Sequence, residues 1–206
     1  MYEVLSSGSH GNAVIYNENI LVDCGVSRAL LENRVHDIAI VLLTHAHKDH
    51  LNVSTLKAMQ LERPSLRIGC GRHLSERVKG LRNIDFYEAG LVYDYQIFKV
   101  SPVKLYHDVP NFGYRIFIGD YKIFHATDTA HLAGIRAQGY DLYAVEHNYD
   151  EDTVFKKIES KKENGLYAHE QGSINTHLSE QQAREWISLN RKAESKILRL
   201  HESKNY

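Results

Sequence analysis

The 206-residue chain reads as an α/β protein with two mixed sheets packed face to face and helices on the outside. Three observations predict this. Short apolar runs punctuated by Gly, Ser and Asn occur in both halves, helical patterns occur in both halves, and no proline-rich linker or low-complexity tract parts them. At about 150 residues per domain, a single domain over residues 1–206 is the simplest organisation.

In chain order, YEVLSS (2–7), NAVIYN (12–17) and NILVDCG (19–25) read as strands joined by tight turns. Residues 27–34 suggest a short helix, and DIAIVLLT (37–44) is apolar enough for a strand buried on both faces. Helical patterns follow at 53–63 and 73–81, with a strand at 66–71 between them. From residue 84 strands dominate: DFYEAG, YQIFKVSPVKLYH, FGYRIFIGD and YKIFHATD, with Gly119-Asp120 as a hairpin turn. A strand over 140–148 and a helix over 179–190 complete the reading, with Ser179 as N-cap and Gln182 at the capping-box position. The polar stretch KKIESKKENG (156–165) reads as a solvated helix end and loop.

Composition narrows the function classes. The chain is 43% apolar and 25% charged, as a globular protein with a real core should be. No apolar run approaches the roughly 20 residues of a membrane helix. The N-terminus lacks the basic and apolar segments of a signal peptide, so a soluble, cytoplasmic protein without membrane contact is expected. Cys24 and Cys70 lack CxxC spacing and read as reduced, structural thiols. With 25 Lys and Arg against 26 Asp and Glu, the net charge of -1 gives no global attraction to a polyanion.

The 13 histidines are the compositional oddity. VLLTHAHKDHLN (41–52) places His45, His47, Asp49 and His50 directly behind the most apolar strand. His45 and His47, two apart, project to one side of an extended segment and could share a cation; Asp49 and His50, in the turn that follows, could hold a second. Imidazole and carboxylate donors without thiolate suit zinc first, with manganese or iron as alternatives.

HxHxDH at the end of a buried strand resembles the metallo-beta-lactamase superfamily, and the resemblance runs along nearly the whole chain. It implies a four-layer αββα sandwich. Asp23 in LVDCG matches the aspartate that buttresses the metal-binding loop in that family. SSGSHGNA (6–13) and HDVPNFGYRI (107–116) look like the YycJ subgroup, HATDTA (125–130) matches the bridging aspartate, and THLS (176–179) resembles the closing motif of the YycJ and tRNase Z groups. The implied centre holds two divalent metal ions: His45, His47 and His107 on the first, Asp49, His50 and His177 on the second, with Asp128 bridging. Such a pair lowers the pKa of a shared water toward about 7, and Asp49 could orient the resulting hydroxide.

The resemblance implies a phosphodiesterase acting on a nucleotide or a nucleic-acid end. Balanced charge tilts the reading toward a small substrate such as a cyclic nucleotide, including those that phage enzymes of this branch degrade to disarm bacterial defence. The alternative is a YycJ-like DNA or RNA exonuclease, followed by thioester or lactam hydrolysis and by an inactive metal- or nucleotide-binding module. Glu146, in AVEHNYD, or His169, in YAHEQG, serves as or supports the general acid. His36, His73, His125, His131 and His201 match no ligand position. His10 lies on a loop expected near the substrate. Tyr106, Phe112, Tyr114 and Tyr149 flank the motifs as candidate base-stacking residues. Relatives of this kind commonly form homodimers.

Overall fold

The computed structural model describes residues 2–168 and 170–203, in two compact units that divide after Leu91. The first unit holds a six-stranded mixed sheet: β1 (Tyr2–Ser6), β2 (Ala13–Tyr16), β3 (Ile20–Val22), β4 (Ile40–Leu43), β5 (Arg67–Gly71) and β6 (Ile84–Tyr87), adjacent in that order. β1 to β3 are antiparallel and β3 to β6 parallel.

Parallel neighbours need crossovers. Helix α1 (Arg28–Leu31), with the 3-10 turn after it, joins β3 to β4, and α2 (Val53–Glu62) joins β4 to β5. The Asn52 side chain starts α2 by accepting a hydrogen bond from Thr55 N at 3.1 Å. All four residues of β4 are buried, as its uninterrupted apolar run requires. Val41 and Leu43 join Leu21, Ile68, Leu56 and Met59 in one core, each such side chain contributing about 1.5–3 kcal/mol. Residues 73–81 depart from expectation. Only a 3-10 turn forms at Arg72–Leu74, followed by turns that close through Arg77 N to Leu74 O and Leu81 N to Val78 O. Leu74 and Val78 alone are buried there, too narrow a stripe to hold a full helix.

The second unit holds another six-stranded mixed sheet: β7 (Tyr93–Asp94), β8 (Lys99–Leu105), β9 (Asn111–Ile118), β10 (Tyr121–Ala126), β11 (Leu142–Glu146) and β12 (Lys196–Leu200). β7 to β10 are antiparallel, β9 and β10 turning through Gly119-Asp120 as predicted, and β10 to β12 are parallel. Helices α3 (Glu151–Glu163), α4 (Glu170–Thr176) and α5 (Glu180–Asn190) lie between β11 and β12. α5 opens with the expected capping box and packs Ala183 and Ile187 against Phe124, Tyr143 and Val145. The polar stretch 156–165 is mostly helical, within α3. Strand β12 and helix α4 carry no clear signal in the sequence. No helix among the described residues is long and apolar enough to cross a membrane.

Candidate metal centre

Each unit carries one set of metal-ligating side chains. In the first, the turn after β4 is held from below by Asp23, which follows β3. Asp23 Oδ1 accepts Thr44 N at 2.9 Å, and Oδ2 accepts the Thr44 hydroxyl at 2.9 Å and His50 Nδ1 at 2.6 Å. His45 Nδ1 lies 2.9 Å from the same hydroxyl oxygen. A hydroxyl that donates to Asp23 accepts from His45, so both His45 and His50 carry their proton on Nδ1 and keep a lone pair on Nε2. His45 Nε2 and His47 Nδ1 converge to 3.1 Å. His50 Nε2 lies 3.6 Å from Asp49 Oδ2 and 2.8 Å from the Asn12 amide nitrogen. His45 and His50 are fully buried, whereas the Asp49 side chain keeps 26% of its surface exposed.

The loop sits this close to the strand β3 connection only because residue 25 is glycine. A Cβ there would meet the Asp49 carbonyl oxygen at 1.7 Å. Backbone pairing fixes the approach, with Cys24 N donating to His50 O and Asn12 N to Asp49 O.

In the second unit, Asp128, Glu146, His177 and His201 each offer a ligand atom, all within 4.8 Å of one another. Glu146 is the hub. Its Oε2 accepts Thr129 N at 3.0 Å and Leu178 N at 3.2 Å, and its Oε1 lies 2.6 Å from His177 Nδ1 and 3.3 Å from His201 Nδ1. Burial pushes this carboxyl up, but the His177 and His201 hydrogen bonds outweigh that and hold it below the ordinary glutamate value. For His177 burial opposes the charged form, and the Glu146 hydrogen bond and the Glu146 and Asp128 charges prevail, raising it above the ordinary imidazole value. His201 Nε2 lies 3.3 Å from Asp128 Oδ1, and His177 Nδ1 lies 3.7 Å from the same oxygen.

His107, after β8, donates Nδ1 to Thr176 O at 2.9 Å, and its other ring nitrogen, Nε2, lies 3.0 Å from Asp108 Oδ1. Burial lowers its pKa against the pull of Asp128, which suits a neutral ligand. Its ring stands edge-on to His177 at 5.2 Å. His10 is exposed, Tyr106 is 43% exposed with its ring tilted 30° against His131 at 4.1 Å, and Tyr114 is fully buried. Tyr149 is buried, and Phe112 partly so. His169 lies outside the described residues.

The donor sets fit divalent ions. Two ligand atoms of a tetrahedral ion bound at roughly 2.0–2.1 Å stand about 3.3 Å apart, which matches both the His45–His47 separation of 3.1 Å and the Asp128–His201 separation of 3.3 Å. Thiolate is not on offer, because burial pushes the Cys24 and Cys70 thiols up to about 12. Three residues of the two sets hold left-handed backbone: Asp23, Asp128 and His201, with φ of 59, 54 and 52°. Each such residue costs about 1 kcal/mol or more, a strain that gathers at functional positions.

His201 is the residue the motif reading passed over. No signal in the sequence marks it, because the strand before it, β12, buries only Leu200.

Comparison with known proteins agrees with this architecture. The family model for the beta-lactamase superfamily domain matches residues 18–198, and the chain belongs to that superfamily. The exodeoxyribonuclease WalJ of Streptococcus pneumoniae serotype 2 is 26% identical over 170 residues, covering 72% of this chain and 62% of the relative. The chain thus spans less than two thirds of the length of the curated relatives it matches. Among the solved structures that share the fold over 100% of this chain are two with equal TM-scores. One is the metallo-beta-lactamase fold protein YhfI from Bacillus subtilis, with a TM-score of 0.73, 17% identity and 86% of that chain covered. The other is human short-form tRNase Z, with a TM-score of 0.73, 18% identity and 93% covered.

Proposed function

We propose that the protein is a metal-dependent phosphodiesterase and that the two donor sets serve one two-ion centre. The observation that carries this is the second unit's nest, in which the fully buried Glu146 positions His177 beside an aspartate suited to bridging two ions. Membership of the superfamily, whose match covers the first donor set and Asp128, Glu146 and His177 of the second, supports joining them. His45, His47 and His107 would hold one ion, Asp49 and His50 the other, and Asp128 both. When bound, divalent ions, zinc first by donor chemistry, would supply an acidified water and charge neutralisation for an in-line displacement at phosphorus.

For the last ligand, the separations favour His201 over His177. His201 presents Nε2 to Asp128 at 3.3 Å, whereas His177 spends Nδ1 on Glu146 at 2.6 Å. His177 then becomes the proton donor to the leaving oxygen, through Nε2. Both Glu146 oxygens are engaged, Oε2 by Thr129 N and Leu178 N and Oε1 by His177 Nδ1, so Glu146 would act through His177 by stabilising its imidazolium. Asp49, partly exposed, would orient the attacking water. Tyr106, exposed next to His107 and in tilted ring contact with His131, offers a ring to a nucleobase.

Two substrate classes follow. The likeness to a protein named as an exodeoxyribonuclease and to a tRNase Z favours nucleic-acid ends. The balanced net charge of -1 favours a small molecule such as a cyclic nucleotide. Metal-loaded protein offered bis-p-nitrophenyl phosphate, cyclic mononucleotides and end-labelled DNA and RNA separates them. Hydrolysis of at least the first is expected; full metal loading with no cleavage of any would make the protein a binding module.

A further inference from the structure

Between Glu146 and His177 the chain leaves the sheet for α3 and α4 and returns. The two legs of this excursion emerge side by side, joined by Asn148 N to Leu178 O at 2.9 Å, Glu180 N to Tyr149 O at 2.8 Å, and a parallel bridge between Tyr149 and Ser179. The excursion is therefore rooted directly beside the Glu146–His177 pair. It has a small core of its own, made by Tyr149, Val154, Ile158 and Ala168.

One side of α3 is basic. At about 100° per residue, Lys156, Ser160, Lys157 and Lys161 fall within a sector of about 140° that adjoins the Val154–Ile158 stripe. Asp152, Glu159 and Glu163 gather in a sector of about 40° that borders the basic one at Lys156, and Glu151 and Lys162 lie on the remaining side. The basic sector and Glu170 of α4 line a cavity of about 430 Å³. Lys161 Nζ is pinned to Glu170 Oε1 at 2.6 Å, which ties this wall to α4. A chain with net charge -1 thus carries a concentrated cationic trough. At 1.5 Å per residue, Lys156 and Lys161 stand about 8 and 15 Å along the helix from its first residue. A single cyclic mononucleotide at Asp128 and His201 would leave this trough unused, whereas successive phosphates of a strand would follow it.

We propose that the α3–α4 excursion is a backbone-holding arm for a single-stranded polynucleotide, with Lys156, Lys157 and Ser160 contacting phosphates upstream of the bond cut. This rests on the phosphodiesterase reading and decides between its two substrate classes in favour of the polymer. The test is binding of a 5′-labelled, phosphorothioate-linked 12-nucleotide strand to the metal-loaded full chain, by fluorescence anisotropy across a salt series. The variant is Lys156→Ala with Lys157→Ala. We expect its Kd to rise about tenfold at low salt and its slope of log Kd against log salt to flatten by about 1 to 2, since each phosphate contact on a single strand contributes about 0.7. Replacing both lysines by arginine should restore the slope. Hydrolysis of bis-p-nitrophenyl phosphate, too short to reach the trough, should stay within twofold. An unchanged Kd and slope, a parallel fall in the small-substrate rate, or equal binding of an acidic peptide would each overturn the arm. Absence of strand binding in the parent protein would do so too. Failure of the phosphodiesterase reading shows separately, as absence of bis-p-nitrophenyl phosphate turnover.

Discussion

Gly25 and Asp23 show how single residues set the first donor group. Asp23 accepts three hydrogen bonds from the turn that bears the histidines, and Gly25 leaves the room for that turn to approach. Gly25→Ala places a Cβ inside the Asp49 carbonyl contact distance, so the turn must move. Zinc bound after dialysis should fall by at least half, and a variant binding the parent amount would show that the turn tolerates displacement. The four donors of HAHKDH and the Asp23 buttress were legible because they are contiguous or sit at a strand end. His201 was not, because its role depends on a left-handed backbone at φ 52° that turns it toward Asp128, and no spacing rule in the sequence encodes that. Tyr106→Ala should raise KM for a nucleotide substrate several-fold with little change in kcat, the pattern of lost base stacking. Equal loss in kcat would instead point to disturbance of His107.

Elements with strong local punctuation were read correctly. β4 was evident from its unbroken apolar run, and α5 from Ser179 and Gln182, whose reciprocal bonds are present. Ser179 is fully buried and also donates to Glu151 at 2.6 Å, so Ser179→Ala should destabilise the protein by about 1–2 kcal/mol in chemical denaturation. Asp150 caps α3 through Thr153 N and Oγ1, and these bonds hold its carboxyl below the ordinary aspartate range. A depressed folded pKa means the cap is intact above the ordinary value of about 3.9 and is lost as pH falls through the lower folded value. Hydrogen exchange at the Thr153 amide should therefore gain an acid-dependent component below about pH 4; its persistence unchanged to pH 2 would contradict the cap. β12 escaped the sequence reading because it is a sheet edge: Lys196, Ile197 and Arg199 are exposed and only Leu200 is buried. A strand paired on one side shows half a hydrophobic pattern.

Across the whole molecule, each unit contributes a sheet whose strand ends present imidazole and carboxylate donors, and the family match spans 18–198, which takes in every proposed donor except His201. The α/β class and the membership of the superfamily were legible from one motif and its distant partners. The division of labour between His177 and His201 was not, because both are histidines after the last strands of one sheet and only their nitrogen-to-carboxylate separations distinguish them. The proposed function depends on two ions held by donors from both units. The most direct measurement is metal stoichiometry by mass spectrometry on dialysed protein, with His201→Ala and His177→Ala compared with the parent chain. Two ions per chain are predicted for the parent, about one for His201→Ala, and two for His177→Ala with a loss of kcat of about 10²-fold or more. No tightly held metal in the parent, or loss of an ion from His177→Ala but not from His201→Ala, would contradict the proposed centre.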